Sequence, residues 1–239
     1  MLIWTSAHVT DVGTRRKINE DSVLEMPSQG FWVVADGMGG HAAGDYASQS
    51  ITRLLAELQV RNRPVADIVD DIEDRLTELN HTLQDYARQQ QAAVVGSTVV
   101  ILLLTTDVGV CIWVGDSRLY QFRNHEVKCI SRDHSLVQTL IERGEIKPED
   151  ARNHPSRNVI TRAVGADRTV FSEMRVFKPQ AGDAYILCSD GLYGEVHEMD
   201  MLDIVNGLNP RDAAEALLSV ALTDGADDNV SLVVVKIRE

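Results

Sequence analysis

Residues 31–41 read FWVVADGMGGH, and the order of residue types in that stretch decides how the rest of the chain is read. Five apolar residues, aromatic and β-branched, form a run too short for a helix and too continuous for a strand with one wet face. They predict a strand covered on both sides. The run stops at Asp36, a poor strand former, and Gly37-Met38-Gly39-Gly40 follows as turn chemistry. The same order recurs elsewhere. VCIWVG (110–115) ends at Asp116 and YILCS (185–189) ends at Asp190. In the opposite sense, Asp228 stands just before VSLVVV (230–235) and Glu20-Asp21 just before SVLEM (22–26).

Working outward, covered strands are predicted at 31–35, 98–104, 110–114, 184–188 and 230–237, with weaker ones at 22–26, 119–123, 127–130 and 169–176. Helical spacing appears in Ala47, Ile51, Leu54 and Leu58, and again from Val65 to Tyr86 behind Pro64. A third helix is predicted over 211–223, following Pro210. Helices arrive in groups between blocks of strands, not one after each strand. That order predicts an α+β sandwich and not a regularly alternating βα fold. No internal repeat or Gly/Ser linker breaks the chain, so residues 1–239 read as a single domain. The polar stretch 144–158, GEIKPEDARNHPSRN, is its one long insertion and reads as a surface flap or a tolerated excursion.

A chain of 239 residues with 44% hydrophobic and 25% charged residues is large enough to hold a core without disulfides or zinc. Cys111, Cys129 and Cys188 are widely spaced and odd in number, which predicts free thiols in a reducing compartment. The net charge of −13 opposes nucleic-acid binding. The absence of a basic n-region before MLIWTSAH, and of any long apolar run, predicts a cytoplasmic protein without membrane association.

Carboxylates at the ends of five strands admit two readings. Each alone is ordinary turn chemistry. Together they could converge on a hard cation, because oxygen donors without His or Cys partners select Mg2+ or Mn2+ over zinc. Two such ions about 3.5–4 Å apart clamp a phosphoryl group. Arg16, four residues before Glu20, could then hold that group bidentately, or could be a solvated surface arginine.

At this point the chain resembles a known family, the metal-dependent protein phosphatases (PPM, the type 2C serine/threonine phosphatases). The likeness runs through TDVGTRRKINEDS (10–22), VVADGMGGHAAGDYAS (33–48), GSTVV (96–100), WVGDSRLY (113–120), RDHSLV (132–137), LCSDGLYGEV (187–196) and DDNVSLVVV (227–235). The DGMGGH form is similar to the bacterial branch. The resemblance implies a four-layer αββα sandwich, two antiparallel sheets flanked by helix pairs, with the metal site at one end and a flap at about 144–165.

By the same resemblance, Asp36 matches the acid bridging both metals, and Gly37 a backbone carbonyl ligand. Asp190 and Asp228 match direct ligands. Glu20 and Asp21 match acids that orient metal-bound water, and Arg16 the phosphate-binding arginine. Asp116 matches a ligand of a third, weaker ion shared with Asp190. The implied cofactor is two Mn2+ or Mg2+ ions, and the implied reaction is in-line attack of metal-bridging hydroxide on phosphoserine or phosphothreonine. The implied partners are phosphoproteins, including a Hanks-type Ser/Thr kinase and its substrates, met by a monomeric enzyme.

Two departures stand out. Met38 occupies the place where animal members carry a histidine. His41 is the nearest imidazole, to be read either as general acid or as a residue orienting the loop. Gly194 stands where some relatives complete the third site with an acid. His134 and His154 have no metal-ligand spacing and read as structural or surface residues. A silent binding module and a nonspecific phosphomonoesterase are the competing functions. Retention of Arg16, Asp36, Asp190 and Asp228 argues against the first.

Overall fold

The computed structural model describes residues 2–39 and 42–238. In chain order it forms β1 (Ile3–Asp11), β2 (Asp21–Met26), β3 (Phe31–Met38), α1 (Ala42–Ala56), α2 (Val65–Gln90), β4 (Gly96–Ser97), β5 (Val99–Leu104), β6 (Gly109–Val114), β7 (Arg118–Arg123) and β8 (Glu126–Cys129). There follow α3 (Leu136–Glu142), β9 (Glu173–Phe177), β10 (Ala184–Cys188), the single turn α4 (Asp190–Tyr193), α5 (Glu198–Gly207), α6 (Pro210–Thr223) and β11 (Val230–Arg238).

The strands make two antiparallel sheets. One has the order β1-β11-β10-β7-β8, the other β2-β3-β5-β6-β9 with β4 paired beside β3. Side-chain alternation explains why the core strands read as continuous apolar runs. Phe31, Val33 and Ala35 of β3 face α1 and α2 in one core, with Ile51, Leu55, Ile72 and Leu76. Trp32 and Val34 face the other sheet, in a second core with Trp113, Tyr185 and Val233. A third core lies under α5 and α6, where Ile186 and Leu232 meet Leu202, Ala214 and Leu217. Three cores between four layers realise the expected sandwich. The two central tryptophans satisfy their polar atoms: Trp32 Nε1 donates to Ser6 Oγ at 2.9 Å, and Trp113 Nε1 to the Arg132 carbonyl at 2.7 Å.

Three differences from the sequence reading have local causes. β3 does not stop before Asp36 but runs on to Met38, because Gly37 and Met38 pair with Ser97 and Gly96 of β4. β1 had no predicted counterpart; its nine residues pair along the whole of β11, from Ile3 opposite Arg238 to Asp11 opposite Val230. The polar insertion contains a 3-10 helix, Pro148–Asn153, fastened by Arg152, which donates to the carbonyls of Gly194 and Glu195 and to His197. Among the described residues no helix is long and apolar enough to cross a membrane.

Candidate active site

The acids of both sheets meet at one end of the sandwich. Asp21, the first residue of β2, lies opposite Asp36 in the ladder with β3. Asp190 starts α4 with one residue, Ser189, between it and the end of β10, and Asp228 stands two residues before the start of β11. Asp116 sits in the connection from β6 of one sheet to β7 of the other.

Their placement is enforced by hydrogen bonds that no spacing rule predicts. Asn229 fastens the 12–20 loop: its Nδ2 donates to the carbonyls of Val12 and Ile18 at 2.9 and 3.0 Å, and its Oδ1 accepts Glu20 N–H at 2.8 Å. Ser189 Oγ donates to Asp21 Oδ2 at 2.8 Å, joining the two sheets through the site. Asp36 is held by its backbone: its carbonyl accepts from Thr98 N and Ser97 Oγ, and its N–H donates to Thr98 Oγ1. Gly13 must be glycine, with φ +74° and a would-be Cβ 2.0 Å from the Asp228 carbonyl oxygen.

Electrostatics shows that these acids act on one another. Burial raises Asp36 well above the usual carboxylate range, and the negative charges of Asp21, Asp190, Asp116 and Asp228 add to it. Burial also lifts Asp21 to about 7. Asp190 rises to about 6 through burial and the charge of Asp228. Asp116 is raised by burial and by Asp190, and Glu20 by burial against the opposing pull of Arg16. Asp21 and Asp116 are buried, whereas Glu20, Asp36, Asp190 and Asp228 keep partial access to solvent. Arg16, at the rim, donates from Nη2 to Asp228 Oδ2 at 2.6 Å.

Whether a divalent cation suits this mouth can be tested on the side chains themselves. Among the described residues no three His, Cys, Asp or Glu side chains form a closed cage on their own. Yet Glu20 Oε1 and Asp21 Oδ1 are buried carboxylate oxygens without a hydrogen-bond partner among those residues. A third such oxygen is Asp45 Oδ1 in the first turn of α1, and the Asp45 charge adds to the repulsion on Glu20. Orphaned, mutually repelling, oxygen-only donors fit Mg2+ or Mn2+.

The geometry thus brings together Arg16, Glu20, Asp21, Asp36, Gly37, Asp116, Asp190 and Asp228. His41 lies outside the described residues. Asp45, Ser189 and Asn229 were missed by the sequence reading, although each adjoins or lies within a quoted motif. Of the two histidines expected to be structural or surface residues, His134 is buried against Gly115, next in sequence to Asp116, whereas His154 stays in the insertion.

Fold and mouth together define a phosphohydrolase of the metal-dependent class. The protein phosphatase 2C family profile matches residues 14–223, and the chain belongs to that family. It is similar to the serine/threonine phosphatase stp of Listeria monocytogenes, with 35% identity over 95% of this chain and 93% of that protein. Among solved structures it is similar to PppA, described as a key regulatory component of T6SS in Pseudomonas aeruginosa (36% identity, TM-score 0.91, 98% of each chain). It is also similar to the catalytic domain of the serine/threonine protein phosphatase PstP in complex with two manganese ions (32% identity, TM-score 0.89, all of both chains).

Proposed function

We propose that this serine/threonine protein phosphatase removes phosphate from phosphoserine and phosphothreonine on proteins, opposing a Hanks-type Ser/Thr kinase and acting on that kinase and its substrates. The observation that carries the reading is the convergence of Asp21, Asp36, Asp116, Asp190 and Asp228 from both sheets, with Arg16 at the rim. Asp36, Asp190, Asp228 and the Gly37 carbonyl would hold two Mg2+ or Mn2+ ions, and Asp116 with Asp190 a weaker third. Such ions, when bound, supply Lewis acidity and charge neutralisation for attack by water on phosphorus.

The protein's own groups do the positioning. Arg16 would hold the phosphoryl oxygens, and its ion pair with Asp228 keeps the guanidinium beside the acids. Glu20 and Asp21 orient water through their unpartnered oxygens. A bond forms from the water oxygen to phosphorus as the ester bond to the serine or threonine oxygen breaks opposite it, and one of the two protons of that water passes to the leaving oxygen while the other stays on the released phosphate. No phosphoenzyme is needed. The likeness to PppA, a regulatory component of T6SS, supports control of secretion as one setting for this activity, and the enzyme works as a monomeric single domain with 144–165 as its flap.

Hydrolysis of a phosphothreonine peptide with Mn2+, with EDTA, and by Asp36→Asn tests the reading. Turnover with Mn2+ that EDTA abolishes and Asp36→Asn lowers by about 10³-fold is expected. Binding of Mn2+ without turnover by the wild type would overturn it in favour of a silent binding module.

A further inference from the structure

Gly115 makes the turn from β6 into Asp116, at φ +105°, with a would-be Cβ 2.6 Å from Thr98 Cβ. Both of its backbone polar groups are taken by one distant residue. His134 Nδ1 accepts Gly115 N–H at 3.0 Å, and the Gly115 carbonyl accepts His134 N–H at 2.9 Å. Since Nδ1 accepts, the ring proton is assigned to Nε2, which faces Glu173 Oε1 at 3.2 Å. Arg162 Nη1, 3.3 Å from Nε2, is then a neighbouring donor and not its hydrogen-bond partner. The same Glu173 oxygen takes Arg162 Nη1 at 3.1 Å. Burial, and then the charge of Arg162, hold this imidazole below its usual range, so Nδ1 stays an acceptor at neutral pH.

The ring is only 6% exposed and stacks on Trp113 with centroids 6.2 Å apart. Behind it, the His134 carbonyl accepts Thr161 N–H at 2.7 Å, and Ser135 bridges to Ile160. The base of the insertion therefore braces His134 against the turn that carries Asp116. A histidine serving only as packing would not need to satisfy both polar groups of a left-handed glycine next to a buried carboxylate.

We propose that His134 is a positioning residue for Asp116: by clamping the Gly115 peptide it fixes the direction in which the Asp116 carboxylate enters the acidic mouth beside Asp190. This rests on the reading of Asp116 as a ligand of the weakest cation site. The full chain is compared as wild type, His134→Leu, His134→Asn and Asp116→Asn. Asparagine places its Oδ1 where Nδ1 lies and keeps an acceptor for Gly115, whereas leucine keeps volume without one.

Three readouts are taken: Mn2+ uptake followed by electron paramagnetic resonance of the free ion, amide hydrogen exchange of residues 113–118 in the metal-free protein, and Tm. His134→Leu is expected to speed exchange there and to weaken the loosest Mn2+ site by about 10-fold, sparing the tighter sites, with His134→Asn restoring both. Should His134→Leu not fold, His134→Gln replaces it, since its amide reaches past Nδ1 toward the Nε2 position. Unchanged exchange and Mn2+ uptake in the acceptor-less variant would overturn the proposal. Equal weakening of every site without rescue by asparagine would overturn it too, as the mark of a merely structural residue. If Asp116→Asn itself leaves the loosest site intact, the reading of Asp116 falls and the proposal with it. If Asp116→Asn loses that site and His134→Leu does not, the proposal alone falls.

Discussion

At the residue scale the site depends on backbones packed too closely for any side chain. A Cβ on Gly37 would lie 2.1 Å from the Gly44 carbonyl oxygen and 2.5 Å from that of Glu20, both main-chain atoms that cannot swing aside. Gly37→Ala therefore has to push the start of α1 away from the Glu20 corner. About 1–3 kcal/mol of destabilisation and loss of most activity on any phosphoester are expected. For a chain of this size that lowers Tm by roughly 2–12 °C. Gly207→Ala is the control, because nothing lies within 4 Å of its would-be Cβ. Wild-type turnover by Gly37→Ala would show that the close approach is not needed. Asp36, Asp190 and Asp228 were legible because a carboxylate at either end of an apolar run breaks a pattern. Asn229 and His134 were not, since their value lies in partners such as Val12, Ile18 and Gly115 that only the folded chain brings near.

At the element scale legibility followed burial. β5, β6, β10 and most of β11 are buried on both faces and read directly as apolar runs. β1 alternates half-buried and exposed residues and includes Thr5, Ser6, His8 and Thr10, so its local pattern is weak and its pairing with β11 makes it a strand. α5 was likewise unread; its buried Met201, Leu202 and Val205 give it only a narrow apolar stripe. The insertion looked featureless because the contact that organises it is a single arginine reaching elements over forty residues away. Arg152 meets Gly194 O at 2.5 Å, Glu195 O at 2.9 Å and His197 Nδ1 at 2.8 Å. These bonds close one side of a cavity of about 330 Å³ lined by Arg118, Tyr193, His197 and Met199. Arg152→Ala is expected to free the insertion. Limited proteolysis within 144–158 should run about tenfold faster. Phosphopeptide kcat/KM should change about 3–10-fold while turnover of p-nitrophenyl phosphate moves less than about twofold. Unaltered cleavage and unaltered peptide preference would mean that the fastening has no bearing on either.

At the scale of the whole molecule, the acids gathered at one end tie stability to pH and to divalent cations. Asp36 and Asp116 titrate above their ordinary values, Asp21 at about 7 and Asp190 at about 6 in the metal-free protein. The folded state thus holds protons that the unfolded chain has already released. Where the native state binds more protons, stability falls as pH rises. The stability these acids contribute to the chelated protein is therefore fully present below about pH 4 and is lost progressively as pH rises through about 6 and 7. His8, raised by its bond to Glu25, acts in the same direction. A divalent cation binds only the deprotonated carboxylates, so it competes with protons and stabilises most where they have left. In EDTA, Tm is expected to fall by several degrees between pH 5 and 8. Saturating Mn2+ should raise Tm far more at pH 8 than at pH 5, and Asp21→Asn should flatten the EDTA profile by removing one of the titrating groups. A chelated protein whose Tm rises across this interval, or a Mn2+ increment independent of pH, would show that the acids do not titrate as a repelling cluster. The convergence on which the catalytic reading depends would then have to be abandoned.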